Sequence, residues 1–128
     1  MLEPVLAGAL LAIVVLGMIS ALVIGRQSFA AVADRTQALY IADEGLEALR
    51  TLRDNGAEEI SPGTWGVVID GSTWMLDSAP DITAERFSRT VTIAELESGL
   101  WDVSSRVTWD TENGEREVVL QTMLADWR

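Results

Sequence analysis

Three residue types that carry much of enzyme chemistry are missing from this chain of 128 residues: it has no His, no Cys and no Lys, and all nine basic residues are Arg. That removes Cys-His and Ser-His-Asp nucleophiles, thiolate and imidazole metal sites, disulfide frameworks and Schiff-base chemistry. What remains is carboxylate chemistry, from 20 Asp and Glu, and stacking on five Trp. The run Asp110-Thr111-Glu112-Asn113-Gly114-Glu115 has the composition of a calcium loop. Its Gly comes one position early for the EF-hand pattern, however, and no bidentate Glu follows at the right distance. It reads as a hairpin turn. Asp77, Asp81 and Glu85 around Pro80 read as a solvated loop, and no spacing singles out a pair of carboxylates for glycoside chemistry. Trp65, Trp74, Trp101, Trp109 and Trp127 can in principle stack sugars, but at strand spacing aromatic residues more often fill a core. These residues point to a protein that is not an enzyme and that uses no metal and no cofactor.

One carboxylate stands apart from the rest. Glu3 opens an apolar run, Pro4 to Gly25, of 22 residues without a charge and with Ser20 as the one conventional polar side chain. At about 1.5 Å per residue the run makes roughly 33 Å of helix, enough to cross a hydrocarbon core about 30 Å thick. A secretory signal would carry a basic start and a small-residue cleavage site; here no Lys or Arg precedes the run, and helical pattern continues past Gly25. Pro4 is pre-organised for a first helical turn, and Glu3 suits the positive end of the helix dipole. If the run is buried among other helices, an unpaired carboxylate is costly and needs a cation. The nearest in sequence is the α-amino group of Met1, from the same chain or from a neighbouring one.

The elements that must position these residues follow from pattern. Arg26 to Asp54 has no Pro, one Gly and many Ala, Leu, Glu and Arg, which favours continuation of the helix. Val32, Leu39, Ala42, Leu46, Leu49 and Leu52 recur at spacings of three, four or seven and share a face, with Glu47 three residues before Arg50 on the polar side. Asn55-Gly56 is a C-terminal stop signal. The expected helix is therefore about 50 residues long and roughly 75 Å by its rise, apolar all round in residues 1–25 and amphipathic in residues 26–54. Gly8, Gly17, Gly25 and Gly45 mark either close helix approach or local softening, with Gly17 and Gly25 the positions for softening.

Residues 55–128 are an antiparallel β head by composition, with Trp, Val, Ile and Thr in short alternating runs. A type I′ turn centred on Asn113-Gly114 sets Trp109 opposite Val118, Val107 opposite Leu120, Ser105 opposite Thr122 and Val103 opposite Leu124. The same reasoning at Asp70-Gly71 sets Val67 opposite Trp74 and Trp65 opposite Leu76. Phe87 to Leu96 adds a strand with Val91 and Ile93 inward and Thr90 and Thr92 outward, and Val118 to Trp127 is the last strand. Four or five strands with one apolar face need a cover, and the helix face through Leu39, Leu46 and Leu49 supplies it. The fold class is α+β: a long N-terminal helix, transmembrane then amphipathic, on a C-terminal four- to five-stranded antiparallel sheet. Charge divides along the same line. The net charge is −11, of which residues up to Asp54 carry four Arg against six acids and the remainder five Arg against 14 acids. So acidic a head is a poor nucleic-acid surface.

The run LEPVLAGALLAIVVLGMISALV at 2–23, its continuation ALYIADEGLEALRTLRD at 38–54 and the ending VVLQTMLADW together resemble type IV pilins and the pseudopilins of type II secretion, in a minor-pilin-like bacterial branch. The resemblance implies the ladle fold of that family, with the apolar helices bundled into a filament core and the heads outside. It further implies removal of a leader by a prepilin peptidase, methylation of the new terminus at Met1, and a passage from the inner membrane, through an assembly platform, to an extracellular pilus that serves adhesion, motility or DNA uptake. The family's glutamate, carried onto Glu3, neutralises the terminal amine of a neighbouring copy, and Pro4 follows it. Three departures stand out: the glutamate is third where the family has it fifth, a shift of about 3 Å along the helix; the mid-segment Pro is absent, leaving Gly17 and Gly25; and there is no C-terminal disulfide loop. The expected function is a pilin that assembles with identical or related copies. The alternatives are a pseudopilin and a single-pass membrane-anchored periplasmic binding domain with the Trp residues as its platform.

Overall fold

A computed structural model describes residues 2–56 and 60–125; Met1 and Trp127 lie outside the described residues. The helix α1 runs unbroken over Leu2–Asp54. Six strands follow: β1 Gly63–Asp70, β2 Thr73–Asp77, β3 Asp81–Thr83, β4 Phe87–Glu97, β5 Leu100–Thr111 and β6 Gly114–Ala125. All pairings are antiparallel, in the order β2-β1-β4-β5-β6, with β3 also on β4. The α+β class with a long N-terminal helix stands, with six strands in place of four or five. The chain divides into two compact units, Met1–Asp34 and Arg35–Arg128.

In the second unit, α1 covers one face of the sheet. Leu46, Ala48, Leu49 and Leu52 pack with Val67, Val91, Ile93, Val103 and Leu124. A second cluster joins Ala38, Ile41 and Ala42 to Phe87, Val107, Trp109 and Val118. Phe87 and Trp109 meet with ring centroids 5.7 Å apart, a tilted contact that suits the aromatic quadrupoles. The helix ends as its sequence demands. The Asn55 amide donates to Thr51 O at 2.9 Å and the Gly56 amide to Arg53 O at 3.0 Å, and Gly56 takes φ +72°, the left-handed residue that closes a helix.

The covering face is the expected one at Ala42, Leu46, Leu49 and Leu52, all buried, but it does not include Leu39, which is 37% exposed, or Val32, which is exposed. The small residues Ala38, Gly45 and Ala48 are buried beside Ala42 on the same side of the helix. Small residues let the helix backbone sit close to the sheet, where a Leu would hold it off. A Cβ on Gly45 would lie 2.7 Å from Ser105 Oγ and 3.1 Å from Arg89 Cδ. That glycine is therefore a close-approach position.

Both predicted hairpins form, each with a register two residues away from the expected one. Thr111 pairs with Gly114, so Val107 faces Val118 and Trp109 faces Arg116. Asp70 pairs with Thr73, so Val67 faces Leu76 and Ile69 faces Trp74. A type I′ turn needs φ > 0 at both central residues. Here Gly114 takes φ +109° just after the loop Glu112-Asn113, and Gly71 takes φ +66° as the first loop residue. The Thr111 hydroxyl closes its turn by donating to Gly114 O at 2.8 Å and accepting from the Asn113 amide at 3.3 Å. Side chains alternate with period two, so a slip of two leaves every residue on its expected face. Val103, Ser105, Val107 and Trp109 are all buried.

The candidate assembly surface and a buried arginine in the head

In the first unit the apolar side chains of α1 have no cover among the described residues. From Leu2 to Ile24 every large apolar side chain is exposed, and this stretch is long and apolar enough to cross a membrane. Ser20 satisfies its hydroxyl inside the helix, donating to Leu16 O at 2.9 Å, as a polar side chain in apolar surroundings must. Glu3 lies in the first turn with Pro4 beside it. A Cβ on Gly8, Gly17 or Gly25 would meet nothing within 4 Å, and the helix passes through all three as regular α-helix. Among the described residues nothing packs against those glycines.

Of the residues expected to join helix to head, Leu46 and Leu49 do so at the centre of the core, while Leu39 lines an open groove with Thr36, Tyr40, Asp43 and Leu120. The Glu47–Arg50 ion pair forms on the solvent side of α1. Trp109 is buried, and Trp65, Trp74 and Trp101 are half-buried against the helix-facing core.

A second feature was not expected from the sequence. Arg89 of β4 is 3% exposed and stands on the inward face between Phe87 and Val91. Its five N–H groups all find acceptors. Nε donates to Asp81 Oδ2 at 2.8 Å and Nη2 to the same oxygen; Nη2 also reaches Val67 O at 3.3 Å; and Nη1 donates to Ile41 O and to Glu44 Oε1, both at 3.1 Å. The Trp74 ring lies under the guanidinium at 5.9 Å, a cation–π contact. Asp81 is equally occupied, accepting from the Thr83 hydroxyl at 3.0 Å through its other oxygen. One side chain thus ties α1, β1, β3 and β4 together. Asp81 is no loop residue: it pairs with Arg89 across β3 and β4, and its side chain is 11% exposed. The turn joining those strands holds Ala84 and Glu85 at φ +53° and +60°, a left-handed pair that non-glycine residues adopt only under constraint. The signal was present in the sequence: in FSRTVTIAEL the parity that turns Val91 and Ile93 inward turns Arg89 inward too, and a buried cation requires a carboxylate nearby.

Among the described residues no group of three or more Asp or Glu is placed to hold a metal ion. Comparison with protein-family models, with curated proteins and with solved structures finds no match to the chain.

Proposed function

We propose that the chain is a structural subunit of a type IV pilus or a closely related filament. The observation that carries this reading is the division of labour along one helix. From Ala38 onward the helix buries one apolar face, through Ile41, Ala42, Leu46, Leu49 and Leu52, on the sheet, while Leu2 to Ile24 leave their apolar side chains uncovered. An apolar surface of that extent is stable in lipid or among copies of itself, and not in water. The subunit would rest in the inner membrane and then move into a bundle of identical or related helices. In such a bundle the Glu3 carboxylate, deprived of water, would be neutralised by the terminal amine of an adjacent copy. The head, with most of the negative charge, would form the outer coat and keep it soluble.

The test is Glu3→Ala in the cell that makes the protein. The expected result is a subunit still present in the membrane fraction but missing from sheared surface filaments. Filaments at wild-type abundance in that variant would remove the role given to Glu3. Mass spectrometry of the terminus checks the accompanying expectation, a processed and methylated residue at the start of the apolar run.

A further inference from the structure

The last strand, β6, lies at an edge of the sheet. It pairs with β5 in unbroken register over Gly114–Ala125, and among the described residues no strand lies on its other side. A strand edge presents a row of unpaired N–H and C=O groups, and natural edges are blunted by short length, Pro, a bulge or charge. The opposite edge obeys that rule: β2 has five residues and ends at Asp77. β6 obeys it only beside its turn, where Glu115, Arg116 and Glu117 are exposed. From Val118 to Leu124 it has no charge and no Pro. Arg53 of α1 closes the far end, donating to Ala125 O at 3.5 Å.

A groove of about 400 Å³ adjoins this open stretch, lined by Thr36, Leu39, Tyr40 and Asp43 of α1 and Leu120 of β6. Asp43 is the one charged residue in the lining and has no ion-pair partner among the described residues. Here α1 and β6 run in the same direction: Ala38, Ile41 and Ala42 share a cluster with Val118, while Leu46, Leu49 and Leu52 share one with Leu124. Asp43 therefore stands on the Thr122 side of Leu120. Along the strand Val118, Leu120, Thr122 and Leu124 turn inward, and the exposed Val119, Gln121 and Met123 turn outward.

We propose that β6 takes up an extended peptide segment of another protein as an added antiparallel strand, with an apolar side chain in the groove opposite Leu120 and an Arg or Lys opposite Thr122, on the Asp43 carboxylate. The open edge selects the class of partner, because what satisfies a row of backbone donors and acceptors at strand spacing is another extended backbone. Every pairing in the sheet is antiparallel, and that arrangement is the more stable per residue. Residues directly opposite each other share a face, with Cβ atoms about 4.5–5.5 Å apart, so the residue opposite Leu120 has to enter the groove. Its neighbour two positions away, opposite Thr122, comes under Asp43. Read from its N-terminus, the segment is therefore a basic residue, any residue, then an apolar one. The net negative head draws such a cationic segment toward it. Nothing in this contact depends on filament assembly.

The probe is the fluorescently labelled peptide Thr-Val-Arg-Thr-Leu-Val-Thr, whose Arg and Leu fall opposite Thr122 and Leu120 when it spans Val118 to Leu124. It is titrated into the full-length chain in detergent and followed by anisotropy, and backbone hydrogen exchange of the chain is read by mass spectrometry. The expected result is saturable binding with slowed exchange concentrated in β6. Methylating the peptide's backbone nitrogens at one alternate set of positions is expected to abolish binding, and at the other set to leave it unchanged. Asp43→Asn, at an exposed position, should weaken binding about fivefold, and Asp43→Arg should prefer the peptide with Glu in place of its Arg. No saturable binding, equal binding by the two methylated peptides, or an affinity indifferent to Asp43→Asn would each overturn the proposal. So would a β6 already slow to exchange in the free chain and exposed only on dilution, since a second copy would then be the occupant.

Discussion

Arg89 is the residue whose removal should cost most. Its guanidinium is buried and fully hydrogen-bonded, so Arg89→Met leaves Asp81 without its cation in a site that is 11% exposed. Breaking a buried pair from one side costs about 3–5 kcal/mol, while replacing both partners with apolar residues is often close to neutral. Urea unfolding of the full chain in detergent, followed by Trp fluorescence, should therefore give a large loss for Arg89→Met and recovery of much of it when Asp81→Leu is added. Glu44→Ala should cost under about 1 kcal/mol in the same measurement, because its carboxylate is 55% exposed and screened by water. Gly45 and Ser105 make a second pair at this scale. Ala is normally the better helix residue by about 1 kcal/mol, yet a Cβ at 45 would press on Ser105 Oγ, and overpacking costs about 1–3 kcal/mol. Gly45→Ala should lower the thermal midpoint. Ser105→Ala should leave it unchanged or raise it, since that buried hydroxyl has no hydrogen-bond partner among the described residues. The double variant should recover part of the loss, because the atom nearest the new Cβ is gone.

At the scale of the element, α1 meets two environments. Over Ala38 to Leu52 its face is set by shape as much as by hydrophobicity: the small residues mark where the backbone comes close, and Leu46, Leu49 and Leu52 flank that line. Leu49→Ala opens a cavity under β1, β4 and β5 and should cost about 2–5 kcal/mol. Leu39→Ala should cost far less, as its side chain keeps a third of its surface in water. A comparison of chemical denaturation midpoints decides between this face and one centred on Leu39. The strands follow a simpler rule, that alternation fixes the face and the turn fixes the register. Alternation in VSSRVTW and EVVLQTML placed the correct side chains inward. Each register lies two residues from a type I′ closure because Gly114 supplies its left-handed backbone after the loop, and Gly71 supplies its own at the start of one.

For the whole molecule the consequence is a head able to fold without the apolar run. Arg35–Arg128 contains both hydrophobic clusters and the Arg89 network, so a fragment of residues 35–128 should be soluble, cooperatively folded and monomeric at micromolar concentration. Circular dichroism and sedimentation check this, and aggregation of the fragment would mean that the first unit is needed to complete the core. The sequence by itself determined the composition of each part: the apolar run and its length, the helix that continues it, the strand faces, and the lack of His, Cys and Lys side chains. These are local properties, set by periodicity and side-chain type, and they need no knowledge of what lies opposite. Tertiary structure alone decided how far along α1 the covered face extends, where each hairpin closes, and that Asp81 leaves its loop to become the partner of Arg89. Each of those depends on distances between residues far apart in the chain, where a small side chain or a single carboxylate outweighs the average hydrophobicity of its segment.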